Sequence, residues 1–168
     1  MNPSNDKCPS RRILDLLRSE ARLSNAEIAV RIGITEGEVS SCIQKMEDDR
    51  IILGYRAVVN PENLGKDQVL SLIEVRVQPQ RDVGFDEIAA RIYRFPEVKT
   101  CYLLSGTYDL LLLVEGTNLR DVSTFVSEKL STIDNVRGTV THFMLKKFKE
   151  EGFTVSREEE PERLAVVP

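Results

Sequence analysis

The chain has no tryptophan, a single histidine and three cysteines in 168 residues, and its net charge is −4 rather than positive. Each shortage narrows the choice. The lone histidine, His142, has no catalytic partner evident in the sequence, and no Ser-His-Asp order, glycine-rich phosphate loop, HExxH or CxxC pair is present. Cys8, Cys42 and Cys101 are odd in number and stand at no metal-ligand spacing. Without an export signal they read as reduced thiols rather than a disulfide framework. The sequence therefore asks for no metal and no cofactor. Long apolar runs are missing too. "LLLLV" (Leu110 to Val114) is far short of a membrane span, and "MNPSNDKCPSRR" has no apolar signal-peptide core, so a cytoplasmic protein with no membrane partner is expected. A basic field is also missing. Residues 1–60 are net 0, residues 61–150 net −1 and residues 151–168 net −3, so no segment attracts nucleic acid by bulk charge.

What is there is a globular composition, 41% hydrophobic and 30% charged, enough for one ordinary domain or two small ones. Two periodicities divide it. From residue 10 to about 53 the spacing is helical. Ile13, Leu14, Leu17 and Ala21 share one face. "SNAE" offers Ser24 as N-cap with Glu27 as its capping-box partner before Ile28, Ala29 and Ile32, and Gly33 ends that helix. "TEGE" repeats the signal with Thr35 and Glu38, followed by Val39, Ile43 and Met46. This is a helix-turn-helix. "IILGYRAVVNP" then reads as a strand pair or wing, and residues 61–66 as a linker broken by Pro61 and Gly65.

From residue 67 the pattern changes. "QVLSLIEVRV" alternates like a strand. "FDEIAARIYRF" places Phe85, Ile88, Ala89, Ile92 and Phe95 on a helical stripe. "VKTCYLLSG" and "DLLLLVEG" read as a hairpin of central, well-buried strands. "NLRDVSTFVSEKLSTI" turns Leu119, Val122, Phe125, Val126 and Leu130 inward, and "VRGTVTHFMLKKFK" closes the set. The order β-α-β-β-α-β is ferredoxin-like. Two helices on one face of a four-stranded sheet leave the other face open, and a second copy of the sheet is the simplest cover. The expected fold is thus α+β: residues 1–60 a plain or winged helix-turn-helix, 61–66 a linker, 67–150 a ferredoxin-like βαββαβ domain, and 151–168 an acidic, loosely attached tail.

The stretches "ILDLL", "RLSNAEIAVRIGIT", "LGYRAVVNPENLG", "LLSGTYDLLLLVEG" and "VRGTVTHFMLKKFK", in that order from about residue 10 to 150, resemble the Lrp/AsnC (feast/famine) family of transcription regulators. The resemblance implies double-stranded DNA as partner, with the second helix of the helix-turn-helix entering the major groove. It also implies that residues 67–150 are a ligand-sensing and dimerisation domain, with homodimers that pair sheet to sheet and assemble as far as octamers, and a small effector, usually an amino acid, held between dimers. The matching effector positions are Ser105, Gly106, Thr107, Tyr108 and Asp109, with Thr139 and Thr141 on the last strand. Their chemistry agrees: backbone at Gly106 lets N–H groups approach a carboxylate, and Asp109 answers an ammonium. Gly106 and Asp109 are equally ordinary hairpin-turn residues.

The second helix departs from the family. The arginine that similar proteins place before the residue matching Ile43 is Cys42 here, and Arg50 stands where they tend to have glycine. Glu36, Glu38, Glu47, Asp48 and Asp49 face a single Lys45. DNA contact falls to Thr35, Ser40, Ser41, Gln44, Lys45 and Arg50, with Arg31 and Arg56 in support and Arg11, Arg12 and Arg22 as further basic candidates. Each of these arginines also fits an ordinary solvated charge. Two alternatives stay open: a metabolite-sensing module whose DNA-binding half has degenerated, and an enzyme resembling the siroheme decarboxylases, which share this architecture. "SGTYDLLLLVEG" reads as a regulator's stretch, so no catalytic residue is assigned.

Overall fold

Apolar residues three and four apart build the first helix. α1 (Pro9–Ser19) begins on a proline, whose missing N–H costs nothing in the first turn, and buries Ile13 and Leu17. α2 (Asn25–Ile32) starts at Ser24 and ends on Gly33, which adopts φ 81° and returns its N–H to Ala29. α3 (Glu36–Asp48) starts at Thr35 and buries Val39 and Met46. Both expected capping boxes form. The three helices share one core of Ile13, Leu17, Leu23, Ile28, Ala29, Ile32, Val39 and Met46. Ala21 is exposed, because α1 stops at Ser19 before the helical stripe reaches it. The structure, a computed structural model, describes residues 9–60, 63, 65, 68–78 and 84–155, and the chain divides into two compact units, Met1–Val58 and Val59–Pro168.

The strand pair expected after α3 is not seen: residues 51–60 form no strand. Ile51, Leu53, Tyr55, Val58 and Val59 are all exposed, so the segment has the apolar pattern of a strand but joins no ladder among the described residues. The linker expected over residues 61–66 lies outside the described residues, apart from Asn63 and Gly65.

The second unit has the expected order. β1 (Val69–Val77), α4 (Phe85–Tyr93), β2 (Val98–Leu103), β3 (Leu110–Gly116), α5 (Leu119–Thr124) and β4 (Val136–Phe143) follow one another, with strand order β2-β3-β1-β4 and every neighbour antiparallel. Of the expected hairpin of central, buried strands, β3 is central, but β2 is an edge strand, half-buried to exposed because it pairs only with β3 among the described residues. Alternation decides the faces. Ile73, Val75, Val77, Leu110, Leu112 and Val114 turn to one side and form a core with Ile88, Ile92, Val122, Phe125 and Leu130 from the helices. Leu72, Glu74, Leu111, Leu113, Tyr102, Val140 and His142 turn to the other side, which no element of the unit covers among the described residues. The second helix is irregular. From Phe125 to Leu130 it widens to a π-helix, and Phe125 meets Phe95 edge-on at 5.6 Å between ring centres. Leu119, expected inward, is exposed because it occupies the first turn, just after the Asn118 cap.

The tail begins later than residue 151. Glu151 and Gly152, both at positive φ, join two short strands, β5 (Lys149–Glu150) and β6 (Phe153–Thr154). Val155 is buried behind them, and the Asn60 side-chain amide donates to its carbonyl at 3.0 Å. The acidic charge at this end hides a hairpin carried by Phe153, Thr154 and Val155. Residues 156–168, the rest of the expected tail, lie outside the described residues.

Candidate DNA-reading and effector-binding surfaces

Two capping boxes fix how α3 is presented. At its start the Thr35 hydroxyl accepts the Glu38 N–H at 3.3 Å, while one Glu38 carboxylate oxygen accepts the Thr35 N–H at 2.8 Å and its hydroxyl at 2.7 Å. Those bonds, the backbone one first, hold the Glu38 carboxyl below its ordinary range against a smaller opposing push from burial. Thr35, expected to touch DNA, therefore spends its hydroxyl on the helix itself. Glu36 and Glu38 lie in the first turn, where the helix dipole accommodates negative charge.

Beyond the cap, the buried stripe through Val39 and Met46 forces Ser40, Ser41, Gln44, Lys45 and Asp48 outward, and all five are exposed. Gln44 donates to Asp48 across one turn at 3.0 Å. Glu47 accepts the Tyr55 hydroxyl at 3.0 Å; burial first, and then this carboxylate, push the tyrosine's titration above its ordinary range. Two of the acids that sit badly beside DNA are thus already bonded to neighbours. Arg31 is 3.0 Å from Glu20, an exposed pair, so its charge is partly answered within the domain. Arg50 is exposed and holds φ 56°, the left-handed geometry of a glycine cap, with its N–H on the Glu47 carbonyl at 3.0 Å. Arg11 and Arg56 are engaged by neighbouring groups. The structure gathers Ser40, Ser41, Gln44 and Lys45 into one outward stripe and gives Thr35 and Arg31 other partners.

In the second unit, Ser105, Gly106 and Thr107 are exposed and Tyr108 and Asp109 half-buried in the loop between β2 and β3. Asp109 closes that loop. Its carbonyl accepts the Leu104 N–H at 2.8 Å, its own N–H reaches the Val75 carbonyl at 3.1 Å, and its carboxylate accepts the Val77 N–H at 2.8 Å. One carboxylate oxygen is therefore committed to the backbone, and the residue first serves to seat the loop on the end of β1. Gly106 is different. It is not at positive φ, and a side chain there would meet nothing within 4 Å. The backbone at this position is therefore open on its Cβ side, as it is at Gly138 on β4. Thr139 pairs with Val75, whose other neighbour is Leu110, and Thr141 pairs with Ile73. The end of the loop and Thr139 thus flank the same residue of the central strand, two strand spacings or about 10 Å apart; Thr141 lies two positions further on. Arg76, which the sequence reading passed over, is exposed next to Val75 and pairs with Gly138 at a bulge in the β1–β4 ladder. Only the strand register reveals it.

A model of the Lrp/AsnC ligand binding domain matches residues 70–152, and a model of winged helix-turn-helix DNA-binding domains matches residues 10–52. The "Uncharacterized HTH-type transcriptional regulator YugG" of Bacillus subtilis (strain 168) is 43% identical over 157 residues, 93% of this chain and 95% of that protein. The chain belongs to the Lrp/AsnC family of transcriptional regulators. The leucine-responsive regulatory protein of Rhizobium meliloti (strain 1021) is 32% identical over 83% of this chain and 88% of its own length. Among solved structures, a transcriptional regulator of Neisseria meningitidis in complex with L-methionine superimposes with a TM-score of 0.67 at 27% identity, over 84% of this chain and 91% of that one. In this Lrp/AsnC chain the two matched domains coincide with the two sets of candidate residues: α3 lies in the first, and the 105–109 loop with Thr139 and Thr141 in the second.

Proposed function

We propose that this Lrp/AsnC regulator binds double-stranded DNA sequence-specifically through the outward stripe of α3, and that a small effector, an amino acid, controls that binding or the assembly behind it. The observation that carries the effector half is Gly106. A Cβ added there would meet nothing within 4 Å, so the backbone of this loop is open to an incoming group. A ligand carboxylate approaching backbone N–H groups is such a group. Ser105, Thr107 and Tyr108 extend from the same loop, while Thr139 and Thr141 border it across β1; the methionine-bound relative supports an amino-acid ligand. For DNA, Ser40, Ser41 and Gln44 offer hydrogen bonds to bases or phosphates, and Lys45 and Arg50 supply charge. With so few cations per helix, affinity rests on several copies acting together, as a homodimer or a larger assembly up to an octamer. Such a protein works in the cytoplasm and catalyses nothing.

The test is a salt-titrated binding assay on the protein's own upstream DNA, repeated with each of the twenty amino acids. The reading expects sequence-dependent binding at low salt and at least one amino acid that shifts it. Binding that ignores sequence at every salt concentration defeats the DNA half. The acidity of Glu36 and Asp48 on the same helix favours one second reading, a sensing module that meets DNA only beside a more basic partner. An effector measured calorimetrically together with no DNA binding would select it.

A further inference from the structure

The uncovered face of the sheet carries Leu72, Leu111, Leu113 and Val140 around one histidine–carboxylate pair. His142 Nε2 and Glu74 Oε1 are 3.1 Å apart. Glu74 stands on the central strand between Leu111 of β3 and Val140 of β4, and His142 stands opposite Leu72. In the single copy the two side chains are 27% and 54% exposed, so water still screens them. Among the described residues of the four strands, the other charged groups on this side are Arg76 of β1 and Glu115 of β3, the latter 3.5 Å from Lys99, and Tyr102 of β2 is also titratable. α4 and α5 pack against the opposite face and present no charge to the pair. Two carboxylates therefore face two fixed cations and a histidine. A face so balanced suits a copy of itself about a two-fold axis better than a strongly acidic or basic partner.

We propose that the His142–Glu74 pair makes the sheet-to-sheet homodimer a proton-linked assembly, tighter when His142 is protonated; this rests on the dimer reading above. A second sheet laid over the face removes water from Glu74. A carboxylate in such surroundings is tolerated only with a counter-charge, and the imidazolium supplies it. Association thus favours the protonated ring; a histidine free of neighbours is half-titrated at about pH 6.5. The sign follows from linkage. The stabilisation is fully present below the histidine's range in separate copies and is lost as pH rises through its higher value in the dimer. There a neutral ring remains beside a buried negative charge. The contact between copies then weakens across the physiological window, and with it any DNA binding that depends on paired reading helices.

The experiment uses the full chain labelled with two fluorophores, with the dimer dissociation constant and the subunit-exchange rate read at about pH 6 and about pH 8.5. The wild-type protein is expected to dissociate more readily at the higher pH, by about tenfold, because two pairs act in each dimer. Glu74→Gln keeps a hydrogen-bonding side chain of the same shape but no charge, and should flatten the dependence; His142→Gln should flatten it at the weaker level. A pH-independent wild-type dimer, or a Glu74→Gln dimer with the wild-type slope, overturns the inference and leaves the dimer intact. A monomer by mass at both pH values overturns the dimer reading itself and the inference with it.

Discussion

Arg50 pays a conformational cost that its neighbours do not require. A side chain at φ 56° is disfavoured by about 1–2 kcal/mol relative to right-handed backbone, and glycine escapes this while losing roughly 0.5–1 kcal/mol to its freer unfolded state. Arg50→Gly is therefore expected to stabilise the helix-turn-helix by about 0.5–1 kcal/mol in denaturant titrations. The same change removes a cation from a helix end that carries Glu47, Asp48 and Asp49, so low-salt DNA affinity should fall and the salt slope shrink by about one per bound copy. Higher stability with unchanged DNA binding would show that Arg50 is no phosphate contact. Gly106 poses the converse case. The fold accepts a side chain there, so Gly106→Asp should melt like the wild-type protein and assemble like it, yet lose its response to an amino acid in calorimetry and in DNA titrations. A normal response from this variant rejects the assigned loop.

The elements that were legible from sequence carry their own terminating chemistry. "SNAE" and "TEGE" name both caps, and Gly33 marks the end of α2 at a φ that glycine favours. The ferredoxin-like order was readable because strand alternation and helical spacing are local. Elements whose form depends on a partner were not. Residues 51–60 look like a strand and join no strand ladder among the described residues, while Phe153 and Thr154 look like tail and find β5. In the candidate site, the outward stripe of Ser40, Ser41 and Gln44 followed from helix phase and the bonds that occupy Thr35 from the "TEGE" box, but those that occupy Arg31 and Asp109 join groups that spacing alone does not connect. The caps also predict an acid limb. Glu38 is held low chiefly by the Thr35 N–H, and Glu27 chiefly by the Ser24 hydroxyl. Carboxyls depressed in the folded state contribute stability above their unfolded values, near pH 4.3, which is lost as pH falls through the folded ones. Thermal melts followed by circular dichroism should show the helical unit weakening below about pH 4. Glu38→Gln should start less stable at neutral pH and decline less steeply with acid; an unchanged acid limb would mean that the Thr35 box contributes nothing in solution.

For the whole molecule, the open sheet face decides whether a weakly basic reading helix is enough. On the proposed reading a single α3 would bring only Lys45 and, at its end, Arg50 to the groove, and so few phosphate contacts leave little affinity at physiological salt. Two tethered helices act together, and linkage of that kind multiplies binding by about 10²–10⁴ without a new contact. The arrangement holds only if the copies are joined, and the proposed joint is the face bearing Leu72, Leu111, Leu113 and Val140. Leu111 sits between Tyr102 and Glu74, half-buried in the single copy, so a polar residue there disturbs the fold far less than a core substitution would. Leu111→Asp sets a second carboxylate beside Glu74, and in a two-fold pair four such charges share one water-poor layer. The variant is expected to sediment as a monomer at micromolar concentration, keep its helix content, and bind DNA at least about a hundredfold more weakly. If it sediments as a dimer, the joint lies elsewhere on the molecule. If it is a monomer that binds DNA as tightly as before, one reading helix suffices, and Ser40, Ser41 and Gln44 carry more of the recognition than their charge suggests.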